Sequence, residues 1–451
     1  MNSVAAPPLA GLSTYTESAR TGISVDATVD RLRRYVYLKT QELFIMASHF
    51  NAVPEWEVKG ALSLHMWQDA EHSTWLRERI TQMRTPPHHL DKVPEPALAA
   101  FIAELQSAAN THELLIGIYE ILKPETARAL QSHLDATHVI ADHPTRRLLK
   151  FILTEEEEQV AWGRQALAAL LPTDPASVER FDGWRAHLQS YLQAAGGISG
   201  EDERITDVPA PRPVSTQAVS RVPQRDARFP HVWKSRGIVP SAERSVHERI
   251  WWMMNVRLNE MHVSELIASV LADWKGQPWE FYHDLARHLW DETRHCMLGE
   301  ISFASQGIDF TQIPTHTGFA EYPNTQLEPA DRYAFLWGIE QGLMGKSGKQ
   351  AEVALAQAGG DERAEVFQDY DWADEVLHAQ IGRRWLEPYY GDREKMKAAY
   401  DRIRPAYDEM KDADLQKPDR DWWPAFYATY LAHKAPAEAF RDSPPPPSGE
   451  Y

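Results

Sequence analysis

Residues 279–295, WEFYHDLARHLWDETRH, decide how this chain is read, because residues 56–72, WEVKGALSLHMWQDAEH, repeat them at an offset of 223. Trp56, Glu57, Leu62, His65, Trp67 and His72 recur as Trp279, Glu280, Leu285, His288, Trp290 and His295. Upstream, Glu42 and Leu43 recur as Glu265 and Leu266, which makes eight identities in 31 positions without a gap. Asp69 falls opposite Glu292, so that position keeps a carboxylate. A register held over such a length implies duplication of a structural unit. Around both copies apolar residues recur at three- and four-residue steps with no strand-like alternation, which predicts helices.

Outward from this pair, helical patterning runs from Val25 to Leu192, broken at Pro54, Pro86 to Pro96, Pro124, Pro144 and Pro172 to Pro175. It resumes from Ser241 to His433, with breaks at Gly276 to Pro278, Gly307 to Pro329, Gly359 to Asp361 and Pro388 to Asp392. Between them, Gly, Ser, Pro and scattered charge show no period. The expected organisation is an N-terminal arm (1–24), a helical bundle (25–195), a linker (196–230), a second bundle (231–434) and a flexible Pro-rich tail (435–451). The predicted class is all-α, two tandem four-helix bundles.

Bulk properties narrow the function. The 451 residues carry 47 Lys plus Arg against 65 Asp plus Glu, and a net charge of -18 disfavours phosphate backbones and anionic membrane surfaces. The first 20 residues have no apolar core behind positive charge, and no run of about 18 apolar residues occurs, so neither a secretory signal nor membrane insertion is expected. Cys296 is the sole cysteine, which excludes an intrachain disulfide and a thiolate-rich zinc site and predicts a reducing, cytoplasmic setting.

A helix advances 100° per residue, so a Glu and a His three apart share a face and can reach one ion. Glu292/His295 and Glu375/His378 have that spacing. Glu280/His283 has it too, but twelve residues before Glu292 its face is rotated by about 120°. What gives the pattern specificity is its order: Glu265 alone, Glu292 with His295, Glu340 alone, then Glu375 with His378, each on a separate predicted helix. Four carboxylates and two imidazoles so arranged suit a pair of divalent ions in a bundle core. Glu260 and Gln341 compete with Glu265 and Glu340 for the lone positions. His262 reads as structural before it reads as a ligand, and His288, one turn before Glu292, either lines the cavity or hydrogen-bonds a carboxylate, or is structural. In the first half Glu42, Asp69, His72, Glu120 and Glu155 echo the set at offsets of 223 and 220. Glu158 or Gln159 stands where the second histidine should be, so that site is expected to be eroded.

The segment from Asp291 through Glu292 and Arg294 to His295 resembles the Asp-Glu-x-Arg-His element of the ferritin-like di-iron carboxylate superfamily. Asp374, Glu375 and His378 resemble its partner element without the arginine. The resemblance covers the second half well and the first half in part, and implies two ferritin-like bundles, the first degenerate. It implies that Asp291 and Asp374 accept hydrogen bonds from the ligating histidines. It also implies two iron ions, with manganese or a mixed pair as variants, and dioxygen as cosubstrate. The function expected is that of a non-haem di-iron oxidase or oxygenase acting on a small organic molecule by hydroxylation, desaturation, N-oxygenation or oxidative cleavage. An external electron donor and a homodimer are compatible with it. The competing classes are a ferroxidase or iron-handling protein and a scaffold without turnover.

Overall fold

The computed structural model describes residues 6–86, 90–213 and 219–432; the tail expected at 435–451 lies outside them. Two compact units divide the chain, residues 1–46 with 65–218 and residues 47–64 with 219–451. One boundary, 218/219, lies within residues 196–230, while residues 47–64, expected in the first bundle, group with the second unit.

The first unit takes most of α1 (Val25–His49) and α2 (Trp56–Thr81), then α3 (Pro96–Gln106) and α4 (Thr111–Leu115). A π-helix (Ile116–Leu122), α5 (Lys123–Ala136), α6 (His143–Leu170) and α7 (Pro175–Ala194) complete it. The second holds a two-residue strand β1 (Val232–Trp233), α8 (Val246–Leu258), α9 (Met261–Asp273) and α10 (Trp279–Ala304). There follow β2 (Thr315–His316), α11 (Gly318–Gln326), α12 (Pro329–Leu343), α13 (Lys349–Gly359), α14 (Glu362–Tyr390), α15 (Arg393–Leu415) and α16 (Trp423–Tyr430). Apart from the β1–β2 pair, which is parallel, the described residues are helices and their connections.

Local chemistry accounts for the ends of these helices. Ser245, Asp361 and Asp392 each accept a hydrogen bond from the backbone N–H three residues on, capping α8, α14 and α15. Gly360, left-handed at φ 68°, ends α13 and lets α14 start at once. Within the second unit α10 packs on α8, α9 and α14, and α12 packs on α9 and α14. Gly299 sets the closest approach: a Cβ there would lie 2.1 Å from the backbone nitrogen of Leu258, so α8 can press its last turn onto α10.

Two expectations change. The loop predicted at 307–329 contains β2 and the nine-residue α11. The segment predicted as a linker is fixed by side chains: Arg212 bonds Glu113 at 2.7 Å in the first unit, and Arg221 bonds Asp273 at 2.6 Å in the second. Its composition is that of a flexible strand of chain, yet each arginine ends on a carboxylate, a long-range pairing that composition does not register.

Candidate metal centre

Helix α10 carries His288, Glu292 and His295, and α14 carries Asp371, Glu375 and His378, both sets at steps of four and three. That spacing puts each set on one face. All six are buried, as are Glu340 on α12 and Glu260 at the corner between α8 and α9. They form three overlapping groups whose ligand atoms lie within 4.8 Å of one another: His288, Glu292, Glu340 and His378; Glu260, Glu292 and His295; and His295, Asp371 and Glu375. Glu292 belongs to the first two and His295 to the last two, so the groups are continuous.

The spacing of the donor atoms suits cations. His288 Nε2 is 2.8 Å from Glu340 Oε1 and 3.5 Å from Glu292 Oε1, and His378 Nδ1 is 3.1 Å from Glu292 Oε1. His295 Nδ1 is 3.7 Å from Glu292 Oε2 and 3.9 Å from Glu260 Oε2. Ligands on bonds of about 2.1 Å sit roughly 3 Å from their nearest neighbours, and farther when they face each other across the ion. Moreover, Glu260 Oε2, His295 Nδ1, Glu340 Oε2, Glu375 Oε2 and His378 Nδ1 are buried with no hydrogen-bond partner. Each orphan costs about 1–3 kcal/mol, and five in one cluster are what a coordination sphere leaves behind. Their residues therefore fit a metal, and any of these groups could hold one.

The outer nitrogens of two histidines are held crosswise. His295 Nε2 on α10 meets Asp374 Oδ2 on α14 at 3.1 Å, and His378 Nε2 on α14 meets Asp291 Oδ2 on α10 at 3.4 Å. With Nε2 donating, Nδ1 is the free lone pair turned to the cluster. Arg294 ties the two aspartates together, bonding Asp291 and, at 2.8 Å, Asp374. Asp291 is held well below the usual carboxylate range: burial opposes its charge, but the His378, Arg287 and Arg294 hydrogen bonds prevail.

Charge is only partly balanced within the cluster. Arg257 bonds Asp371 and lies 3.1 Å from Glu260, and Lys349 lies 2.7 Å from Asp371 and 2.9 Å from Glu375. Five carboxylates thus face two fixed cations. The surplus shows in the imidazoles: burial opposes protonation of His295, yet Asp371, Asp374 and Glu292 raise its pKa to about 10. Burial likewise pushes Glu260 up to about 8, against Arg257 and Lys349. The site is built for more positive charge than its own side chains supply.

Of the six ligands read from the sequence, the structure brings Glu292, His295, Glu340, Glu375 and His378 together. Glu265 is placed elsewhere: its carboxylate is enclosed by Lys59 and Arg225, and Asn51 and Asn324 bond its carbonyl. Asn259 ends α8 and breaks the rod, so Glu260 takes the position facing Glu292. Glu265, five residues later, is turned away by about 140°. His288 joins the cluster as a donor, and its Nδ1 lies 3.3 Å from the Tyr333 hydroxyl. Asp371 and Lys349 were not anticipated. Asp371 had a legible signal, since it lies one turn before Glu375.

In the first unit Glu42, Asp69 and His72 do meet, but with Glu156 in place of Glu155 and Glu120. Two ammonium groups fill the space. Lys39 Nζ is 2.7 Å from Glu42 and 2.9 Å from Asp69 and also bonds Glu156, while Lys123 Nζ is 3.0 Å from Asp69 and 3.3 Å from Glu42. Glu155 sits behind His72, bonding its Nε2 at 2.6 Å, and Glu120 pairs with Arg185 toward the surface. At an offset of 219, Glu155, Glu156 and Gln159 fall opposite Asp374, Glu375 and His378.

A family model described as a protein of unknown function (DUF455) matches residues 199–421, a span that contains every residue of the second cluster. No curated protein and no solved structure matches the chain. Among the described residues no helix is long and apolar enough to cross a membrane.

Proposed function

We propose that the second unit is a non-haem di-iron oxidase or oxygenase that oxidises a small organic molecule, and that the chain is a duplicated ferritin-like bundle whose first copy has lost its metals. The observation that supports it most is the set of five orphaned ligand atoms within one cluster, two of them on histidines clamped from behind. His288, Glu292, Glu340 and His378 would hold one ion, and Glu260, Glu292, His295 and Glu375 the other. When bound, two ferrous ions supply the electrons that reduce dioxygen, with manganese or a mixed pair as variants. The chain contributes orientation and balance. Asp291 and Asp374 fix the imidazoles, and Arg257 and Lys349 offset the carboxylates not used by metal. Tyr333, Phe335 and Trp337 on the buried run of α12 help keep water from the cluster. The duplication is supported by paired arrangements: Gln159 bonds Gln68 at 2.9 Å where the second unit has His378 and Asp291, and Glu155 bonds His72 where it has Asp374 and His295.

Lys349 favours a second reading. Its ammonium already satisfies Asp371 and Glu375, so that only His288, Glu292, Glu340 and His378 would take an ion. Metal analysis of protein expressed with ample iron decides. Two ions per chain, lost in the Glu292→Ala, Glu375→Ala double variant, support the dinuclear site, and one supports the second reading. A wild-type chain that takes up no iron or manganese overturns both. Oxygen consumption with candidate substrates then separates an enzyme from an iron-handling protein.

A further inference from the structure

Helix α14 turns Asp371, Glu375 and His378 toward the metal cluster, and another side of the same helix carries a second regular pattern. Val366, Tyr370, Ala373, Leu377, Gln380 and Arg384 follow one another at steps of four and three, the heptad spacing that keeps a seam in line along a helix. All six are exposed. Val366 is 52% exposed, Tyr370 65% and Leu377 37%, so the middle of the seam offers apolar surface to solvent. The patch continues onto α10. Arg363 Nη2 donates to Ser305 Oγ at 3.1 Å, which lays the start of α14 along the end of α10, and one turn before Ser305 stands Ile301, 46% exposed. Single exposed apolar side chains are ordinary, but a seam of them bordered by another on the neighbouring helix marks a contact surface.

Charge selects the occupant. Asp369 borders the seam beside Val366, exposed and without an ion pair among the described residues. Arg384 ends the seam, its side chain 56% exposed even though it reaches Asp284 at 2.9 Å. Two copies of α14 laid antiparallel, about a two-fold axis between Ala373 and Leu377, set Ala373 opposite Leu377, Tyr370 opposite Gln380 and Val366 opposite Arg384 of the other copy. A helical side chain leans toward the start of its own helix, so Arg384 is carried to Asp369 of the second copy, and the symmetry repeats the pair. A parallel pairing would set Arg384 against Arg384 and Asp369 against Asp369, like charge on like. Ala373, the smallest residue of the seam, sits beside the axis, where the two helices must come closest.

We propose that this face of α14 is where two copies of the chain associate, antiparallel, through the seam from Val366 to Arg384, with Arg384 of each copy paired to Asp369 of the other. The proposal does not depend on what the metal cluster binds. Sedimentation equilibrium of the full chain tests it across the micromolar range, the weak end for specific interfaces. Physiological ionic strength screens the net negative charge of the two copies beyond about 8 Å. The expected result is a monomer–dimer equilibrium whose dissociation constant rises at least tenfold in the Tyr370→Glu, Leu377→Glu double variant. Asp369→Arg and Arg384→Asp should each weaken the dimer, and the two together should restore it, because the reversed pair is again opposite in sign. All four positions are exposed, so the variants keep the fold, which an unchanged helical signal checks; should the glutamate variant fail that check, Tyr370→Ser, Leu377→Ser replaces it. A wild-type chain that stays monomeric, leaving the face to a different partner, overturns the proposal. So does a dimer indifferent to the Tyr370 and Leu377 changes, or a double reversal no tighter than either single one.

Discussion

At the middle of the first unit Lys39 Nζ lies 2.7 Å from Glu42 and 2.9 Å from Asp69, and at the middle of the second His378 Nδ1 lies 3.1 Å from Glu292 with no hydrogen bond between them. Both places gather buried carboxylates from neighbouring helices, and both have a histidine clamped from outside, His72 by Glu155 and His295 by Asp374. Where they differ is in the counter-charge. Ammonium groups tethered to the chain occupy the first cluster, although Glu42 Oε1, His72 Nδ1 and Glu156 Oε2 keep no hydrogen-bond partner. The second keeps donor atoms turned inward, with Arg257 and Lys349 covering only part of the charge. A bundle can thus be stabilised by a cation it owns or prepared for one it must acquire, and only the latter leaves room for chemistry.

The largest expected effect is on the owned cation. Replacing Lys39 by Met strands Glu42, Asp69 and Glu156 around Lys123 alone, and breaking a buried pair in this way costs about 3–5 kcal/mol. Urea unfolding measures it, and an unchanged midpoint would mean that Lys39 is not the counter-ion. Added manganese should then raise the melting temperature of a Lys39→Met, Lys123→Met double variant more than that of the wild type, if the two clusters share one design.

Next is a pH effect confined to the first unit. Burial lowers His133 to about 4, whereas an unfolded histidine takes its proton near 6.5. Its linkage leaves stability intact above pH 6.5 and removes it as pH falls toward 4, by on the order of 3 kcal/mol. The difference between wild-type and His133→Phe unfolding curves, recorded from pH 7 to 4, isolates this contribution. Parallel curves would show that His133 protonates freely in the folded chain.

Smaller again is the effect of the outer clamp. In Asp374→Asn the acceptor for His295 is weakened, and metal affinity should fall by roughly 10- to 100-fold while the fold persists. Competition with a chelator gives the number; a change below twofold would make Asp374 a surface partner of Arg294 and nothing more. The matching change in the first unit, Glu155→Gln, should cost under about 1 kcal/mol because the Glu155 side chain is 34% exposed and no ion depends on it. An equal loss in both variants would erase the distinction between the units.

Helix periodicity is a local property, and for that reason the sequence alone placed Glu292 with His295 and Glu375 with His378 on common faces and paired the two histidine-bearing stretches. Helical content followed from the same pattern. Which lone carboxylate faces those pairs was beyond it, because the break at Asn259 and the close approach at Gly299 bring Glu260 inward and leave Glu265 to Lys59, 206 residues away along the chain. The resemblance implied that Asp291 and Asp374 hold the histidines, but their crosswise pairing and the lysines filling the first cluster were out of reach. Each depends on which charges end up together once water is gone, and tertiary packing alone sets that.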